Sequence, residues 1–223
     1  MNNTPIVPID IIRWSIEETN KHGKRRSDPS VYYVTDLERC AMRRRFEIKL
    51  PDLRVLRVLN GRLLFGHIVH VGILTILKEI YGDRIKTELE DENAVSAQKD
   101  IFIGPSKYTI SGRIDAILDK SIGIEIKSNV SPPELPLPIL WNVTQARAYN
   151  WLFNLRKTRL IYVTPHGIFQ YEVKQPLTED EIKHIIKTEK SPMYSWECNN
   201  CEFTSICPIY RARKEGENNE KRD

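Results

Sequence analysis

Two acidic residues and a lysine in the middle of the chain have the types and spacing of a metal-dependent phosphodiesterase site. They are Asp115, Glu125 and Lys127, within the segment GRIDAILDKSIGIEIKSN. Mg²⁺ binds one or two carboxylates together with waters and phosphate oxygens. A lysine beside such a cation can orient or deprotonate the attacking water and balance charge in the transition state. The alternative is that the three charges lie on the solvated face of a β-hairpin.

The strands predicted around these residues can bring them together. Residues 108–118 and 122–128 are predicted to form two strands that pair across a short turn. Because side chains alternate between the faces of a strand, Glu125 and Lys127 share one face, and Asp115 can lie opposite them if the register permits. The chain contains four Glu-x-Lys pairs, but only this pair has an aspartate on the adjacent predicted strand.

Other polar residues on neighbouring predicted helices could join this site. His67 and His70 lie on a strongly apolar helix, and an imidazole entering a carboxylate site favours Mn²⁺ or other transition ions. Gln145 and Tyr149 are four residues apart, so they share one helix face and could contact a phosphate or the attacking water. The alternatives are a hydrogen-bonded core histidine and a surface or interface contact.

Four cysteines form a one-plus-three pattern. Cys198, Cys201 and Cys207 are close in sequence, and Cys40 is far upstream. The N-terminus lacks the basic-then-apolar plan of a signal peptide, so we expect a cytoplasmic protein, in which a metal site is a better explanation than disulfides. Four thiolates can hold Zn²⁺ or an iron–sulfur cluster, and the spacing alone does not decide between them. Ordinary buried thiols are a third alternative.

The composition and the element order predict an α/β protein. The 223 residues are 40% hydrophobic and 29% charged, which is typical of a globular protein. Charge or glycine interrupts the apolar stretches before about 18 residues, so no transmembrane helix is expected. The predicted order is helices, strands, a helix, strands and a helix, which favours a mixed sheet.

Basic residues are concentrated near the N-terminal cysteine. Arg43, Arg44 and Arg45 follow Cys40 on a helix predicted to begin at Thr35 with the capping box TDLE. The net charge of +4 permits a nucleic-acid partner without requiring one, so these arginines could contact phosphates or form a solvated helix face. The chain contains no phosphate-binding P-loop motif, so it is not itself a P-loop helicase.

Together these motifs resemble the PD-(D/E)xK nuclease superfamily, and within it the RecB-type nucleases. The matching segments, in the family's order, are GHIVH, GRIDAI, GIEIKS and QARAY. Arg113 and Ile114 stand where the superfamily's name has a proline, as is common in the RecB branch. The resemblance selects His70 over His67. It implies metal ligation by His70, Asp115, Glu125 and the Ile126 carbonyl, a catalytic Lys127, and contacts of Gln145 and Tyr149 with water or phosphate.

The cysteine segments TDLERC and CNNCEFTSIC resemble those of iron–sulfur RecB-type nucleases. The compact chain is most similar to the CRISPR-associated RecB-like exonucleases, the fourth numbered Cas family. The resemblance implies a four-iron or two-iron cluster bound by Cys40, Cys198, Cys201 and Cys207. It also implies a Mn²⁺- or Mg²⁺-dependent DNA exonuclease that acts on single strands or frayed ends. In that family's setting the enzyme trims DNA for spacer acquisition, with CRISPR integrase proteins as partners.

We therefore predict a restriction-endonuclease-like α/β core with a mixed sheet and appended parts. These are a helical part over residues 1–82 that carries Cys40 and His70, a nuclease core over 83–190, an iron–sulfur segment over 191–212 and a disordered polar tail over 213–223. Two alternatives stay open. One is a DNA-binding adaptor with a structural metal cluster and a vestigial nuclease site, and the other is a repair or replication nuclease that holds zinc.

Overall fold

The computed structural model describes residues 27–53, 61–128 and 136–219, together with Asp10, Arg13 and Glu17. Most of residues 1–26, which belong to the predicted helical N-terminal part, lies outside the described residues. So do residues 220–223 at the end of the predicted tail.

The chain forms two compact units, each assembled from separate segments. The sheet unit comprises Ser30–Glu38 and Arg62–Thr188. The cysteine unit comprises Met1–Pro29, Arg39–Gly61 and Glu189–Asp223. The predicted boundaries followed chain order, whereas the cysteine unit groups the segment after Cys40 with the C-terminal segment.

The sheet unit contains two sheets, and the larger one is mixed. The smaller sheet consists of β1 (Val31–Tyr33), β3 (Ser96–Ile103) and β4 (Ser106–Arg113). The larger consists of β2 (Ile85–Thr87), β5 (Ala116–Leu118), β6 (Ile122–Ser128), β7 (Lys157–Thr164) and β8 (Gly167–Val173). Its strand order is β2-β5-β6-β7-β8, with β6 and β7 parallel and the other pairs antiparallel. The predicted mixed α/β fold is confirmed.

Five α-helices have both of their bounds within the described residues. They are α1 (Ala41–Lys49), α2 (Gly61–Tyr81), α3 (Leu140–Phe153), α4 (Glu179–Thr188) and α5 (Pro208–Asn219). In sequence, α3 lies between the parallel strands β6 and β7, which need a crossover connection. It packs closely on β4 at Gly112, where a Cβ atom would come within 2.7 Å of Leu152 and 2.8 Å of Val34.

Helix α2 packs its buried side on the larger sheet. Leu74 is fully buried in a cluster that includes Leu118 and Ile126. By length and composition alone, Leu63–Arg84 could cross a membrane, which differs from the expectation that charge or glycine interrupts every apolar stretch. Only 6% of the apolar window is buried, so α2 is not a fully buried core helix, but a single helix of this kind is a weak indication of a membrane span.

Two helix boundaries differ from the predictions. The helix predicted to begin at Thr35 begins at Ala41, so Cys40 is its N-cap residue rather than a helical residue. The Thr35 region instead forms a short 3₁₀ helix, Val34–Asp36, in which Asp36 accepts a hydrogen bond from the Tyr33 amide. Residues 213–219, predicted to be disordered, form the second half of α5.

Candidate active site and cysteine cavity

Asp115 lies where the chain passes from one sheet to the other. The predicted continuous strand 108–118 is in fact two strands, with β4 ending at Arg113 and β5 beginning at Ala116. Ala116, the first residue of β5, pairs with Ile124 of β6, so β5 has no residue left to pair with Ile126. The Ile126 amide instead donates to the side chain of Asp115, at Oδ2, over 2.7 Å. This hydrogen bond holds the Asp115 carboxylate against β6.

His70 reaches Asp115 from α2. Its Nδ1 lies 3.5 Å from Asp115 Oδ2. One turn earlier, a Cβ atom on Gly66 would come within 3.2 Å of Ser128 Oγ at the end of β6, so glycine allows α2 to approach the sheet closely. This approach gives a physical reason for the Gly-x-x-x-His motif and for the preference for His70 over His67.

Glu125 and Lys127 share a face of β6, as the strand alternation predicts. Lys127 Nζ donates to Glu125 Oε1 at 2.9 Å. Glu125 is only 4% exposed, and its other oxygen, Oε2, is buried without a hydrogen-bond partner among the described residues. A buried, unsatisfied carboxylate oxygen is costly, and a bound cation would satisfy it.

Gln145 and Tyr149 connect Lys127 to the backbone of the smaller sheet. Lys127 Nζ donates to Gln145 Oε1, and Gln145 Nε2 donates to the Tyr149 hydroxyl at 3.2 Å. That hydroxyl donates to the Arg113 carbonyl at 2.8 Å. Both side chains are buried in this chain of hydrogen bonds, which can orient Lys127, and their predicted contact with water or phosphate stays a prediction.

Glu88 is a potential ligand that sequence reasoning missed. His70, Glu88 and Asp115 each offer an atom within 4.8 Å of those of the other two. Glu88 also forms an ion pair with Arg113 at 3.0 Å. Its position follows from register, because Thr87 pairs with Ala116 and the next amide, that of Glu88, donates to the Asp115 carbonyl. The acidic run TELEDE does not single out this residue, so only the strand pairing could have identified it.

The pKa values of the carboxylates in this site are shifted in different directions. Burial and the charge of Asp115 raise the pKa of Glu125 to about 7, although Lys127 opposes the shift. Burial and Asp115 also raise the pKa of Glu88 to about 7. Burial alone would raise the pKa of Asp115, but His70, the Ile126 amide and Lys127 together outweigh it, so the pKa of Asp115 is lowered.

Lys127 remains a cation in this environment. Burial would lower its pKa, but the negative charges of Glu125 and Glu38 and the hydrogen bond to Glu125 raise it instead. Among the roles considered from the sequence, charge balance and hydrogen-bond donation are therefore favoured over deprotonation of water.

The four cysteines of the cysteine unit line one cavity. All four are free thiols, and the cavity they line has a volume of about 20 Å³. Apolar side chains form part of its wall, including the stacked rings of Phe46 and Phe203, 5.3 Å apart. Burial raises the pKa of Cys198, and the charges of Cys40 and Cys207 raise it further. The donor set fits a thiolate-bound metal centre.

The arginines that follow Cys40 have partners within the cysteine unit. Arg43 pairs with Glu202 at 2.8 Å, and Arg44, which is 6% exposed, donates to the Pro29 carbonyl at 2.7 Å. These contacts give both side chains a packing role within the cysteine unit, and their predicted phosphate contact stays a prediction. Arg45 is half-exposed and pairs with Glu189, so its predicted DNA contact stays a prediction.

The chain is similar to a known nuclease over most of its length. It is 35% identical to the CRISPR-associated exonuclease Cas4 of Saccharolobus solfataricus over 206 residues, which cover 89% of this chain and 96% of that protein. The crystal structure of SSO0001 matches with a TM-score of 0.81 at 33% identity, over 92% of this chain and 98% of the other. An alkaline exonuclease from Laribacter hongkongensis reaches a TM-score of only 0.30. No protein-family model matches.

Cation affinity is expected to rise with pH up to about pH 7. The raised pKa of Glu125 means that a cation must displace its proton at lower pH, so this one proton should make the affinity for Mn²⁺ fall by up to about tenfold per pH unit below about 7. Titration calorimetry of the purified protein measures this dependence. Glu125→Gln should bind more weakly and with a shallower pH profile. An unchanged parental affinity between about pH 5.5 and about pH 7 would contradict the assignment.

Proposed function

Because the chain belongs to the Cas4 family of CRISPR-associated exonucleases, we propose that it hydrolyses DNA from strand ends at the site around Asp115. One observation carries the assignment of the site. Asp115 brings His70 and the buried Glu125–Lys127 pair together in the sheet unit, with one oxygen of Glu125 left for a cation.

His70, Asp115 and Glu125 would hold the cation, as the family resemblance implies. A bound Mn²⁺ or Mg²⁺ would neutralise charge on the scissile phosphate and lower the pKa of the attacking water. The attacking water would lose a proton to solvent and add to phosphorus, and the bond to the leaving oxygen would break as that oxygen takes up a proton from solvent.

Lys127 would act on the substrate as a fixed positive charge. Its ammonium donates to Glu125 and Gln145, and its raised pKa keeps it protonated. It can therefore hydrogen-bond the water or a phosphate oxygen while charge builds up in the transition state. Gln145 and Tyr149 serve as positioning residues for this ammonium.

The substrate and setting follow from the family alone. We propose single-stranded or frayed DNA as substrate, trimming of DNA ends before spacer insertion, and a cytoplasmic location with CRISPR integrase proteins as partners. Arg45 could contribute a phosphate contact, which would be salt-sensitive and independent of sequence.

The cysteine cavity would hold an iron–sulfur cluster through Cys40, Cys198, Cys201 and Cys207. The convergence of four thiols with apolar wall residues supports a thiolate-bound centre. Such a centre would link Cys40 to the C-terminal segment that carries the other three cysteines. Like a long-range disulfide, this link would lower the conformational entropy of the unfolded chain and so stabilise the fold. Zinc in the same ligand set is the alternative, and it would leave the nuclease site unchanged.

The adaptor alternative is disfavoured by the cost of the site around Asp115. A protein that only binds DNA gains nothing from two buried carboxylates, one of which has an unsatisfied oxygen. Two buried carboxylates are expected in a site that binds a cation for catalysis.

Substitution of Glu125 tests the nuclease assignment. Glu125→Gln should lower cleavage of end-labelled single-stranded DNA in Mn²⁺ at least about 100-fold, because it removes a charged ligand. Glu172→Gln is a matched control, since Glu172 is also the first residue of a Glu-x-Lys pair but lies on the exposed edge strand β8, where it pairs with Lys157 of β7. Equal activity in parent and Glu125→Gln would mean contamination or a different site. A parent that binds DNA without cutting it would favour the adaptor.

Metal analysis of anaerobically purified protein tests the cluster. The protein should be brown, contain iron and acid-labile sulfide, and lose its visible absorption when Cys201 is replaced by alanine. Colourless protein with one bound zinc would refute the iron–sulfur assignment and leave the nuclease site standing.

A further inference from the structure

We propose that Glu197 is a positioning residue for the metal centre in the cysteine cavity, because its carboxylate holds the backbone of Cys40 beside that of Cys198. This proposal rests on the proposed thiolate-bound centre. It concerns the protein side of the site and applies to an iron–sulfur cluster or to zinc.

Each oxygen of Glu197 is committed to backbone amides. Oε1 accepts from the Cys40 amide at 2.7 Å. Oε2 accepts from the Met193 and Tyr194 amides at 2.7 Å and 2.8 Å. The residue is 4% exposed, so these charge-assisted hydrogen bonds are shielded from water.

The two oxygens serve the starts of two helices that carry cysteines. Oε2 closes a capping box at the start of the 3₁₀ helix Ser195–Asn200, which contains Cys198. Oε1 binds the N-cap residue of α1, which is Cys40 itself. The first amides of a helix have no partner inside the helix, so an external acceptor there fixes where the helix begins.

The neighbouring amides of α1 bind the same C-terminal segment. The Ala41 amide donates to the Lys190 carbonyl at 3.1 Å, and the Met42 amide donates to Ser191 Oγ at 2.8 Å. Three successive amides are thus docked on residues 190–197. Glu197 is the only charged acceptor among these three, and the residue that follows it is a cysteine of the cavity.

Glutamine cannot reproduce this arrangement. Its side chain has one acceptor oxygen and one amino group that only donates. In either orientation the amino group would face amides that also donate, at Cys40 or at Met193 and Tyr194. Glu197→Gln therefore breaks one half of the contact with little change in volume.

The test compares metal retention in variants of the full chain purified without oxygen. Glu197→Gln should lose iron to a chelator about 10-fold faster than the parent or more, as expected when a residue that orients a metal ligand is removed. Glu202→Gln is the matched control. It removes a buried carboxylate beside Cys201, but that carboxylate pairs with the Arg43 side chain and leaves the Cys40 amide bound.

Loss rates are compared with melting temperatures to separate positioning from general destabilisation. A positioning role predicts faster loss in Glu197→Gln than in Glu202→Gln at equal melting temperature. If Glu197→Gln does not fold, Ser191→Ala weakens the adjacent Met42 contact and should show a smaller acceleration. Equal loss rates in the parent and the variant that folds would overturn the role of Glu197 while the cluster assignment stands. A parent without iron or zinc would overturn both.

Discussion

The passage of the chain between two sheets at Ile114 and Asp115 is the constraint on which the candidate active site depends. A continuous strand would keep Asp115 in one sheet and pair its backbone there. The break instead lets the carboxylate take the Ile126 amide, at 2.7 Å, and places it within reach of His70 and next to Glu125. The Ile126 amide, which has no partner on β5, therefore positions the Asp115 carboxylate.

Bringing these groups together creates an electrostatic cost that the remaining side chains only partly offset. Burial and the proximity of Asp115 raise the pKa of Glu125 to about 7, and Lys127 reduces but does not remove that shift. Gln145 and Tyr149 fix the ammonium in turn by a chain of hydrogen bonds that ends on the Arg113 carbonyl. The buried carboxylates repel each other, and the hydrogen bonds hold the side chains in fixed positions. A divalent cation would relieve this repulsion without rearrangement of the site.

Sequence reasoning identified residues whose positions follow from local periodicity, and missed those set by tertiary register. Alternation along β6 predicted that Glu125 and Lys127 share a face, whereas the choice of His70, which lies beside Asp115, came from the family resemblance. Glu88 follows a strand of three residues, so only the pairing of β2 with β5 reveals it. The helix expected from Thr35 begins at Ala41 because residues 190–197, far away in sequence, cap its first amides. The acceptors of Arg43 and Arg44, which are Glu202 and the Pro29 carbonyl, are likewise set by the tertiary fold and do not follow from the sequence pattern.

Crystals soaked in Mn²⁺ and measured by anomalous diffraction give the most direct test of the account. It predicts an anomalous peak within about 2.2 Å of carboxylate oxygens of both Asp115 and Glu125, with His70 as a nitrogen ligand. That position would satisfy the unpaired Glu125 oxygen. A cation bound elsewhere in the sheet unit, with Glu125 still unliganded, would contradict the central claim that the break at Asp115 builds the metal site.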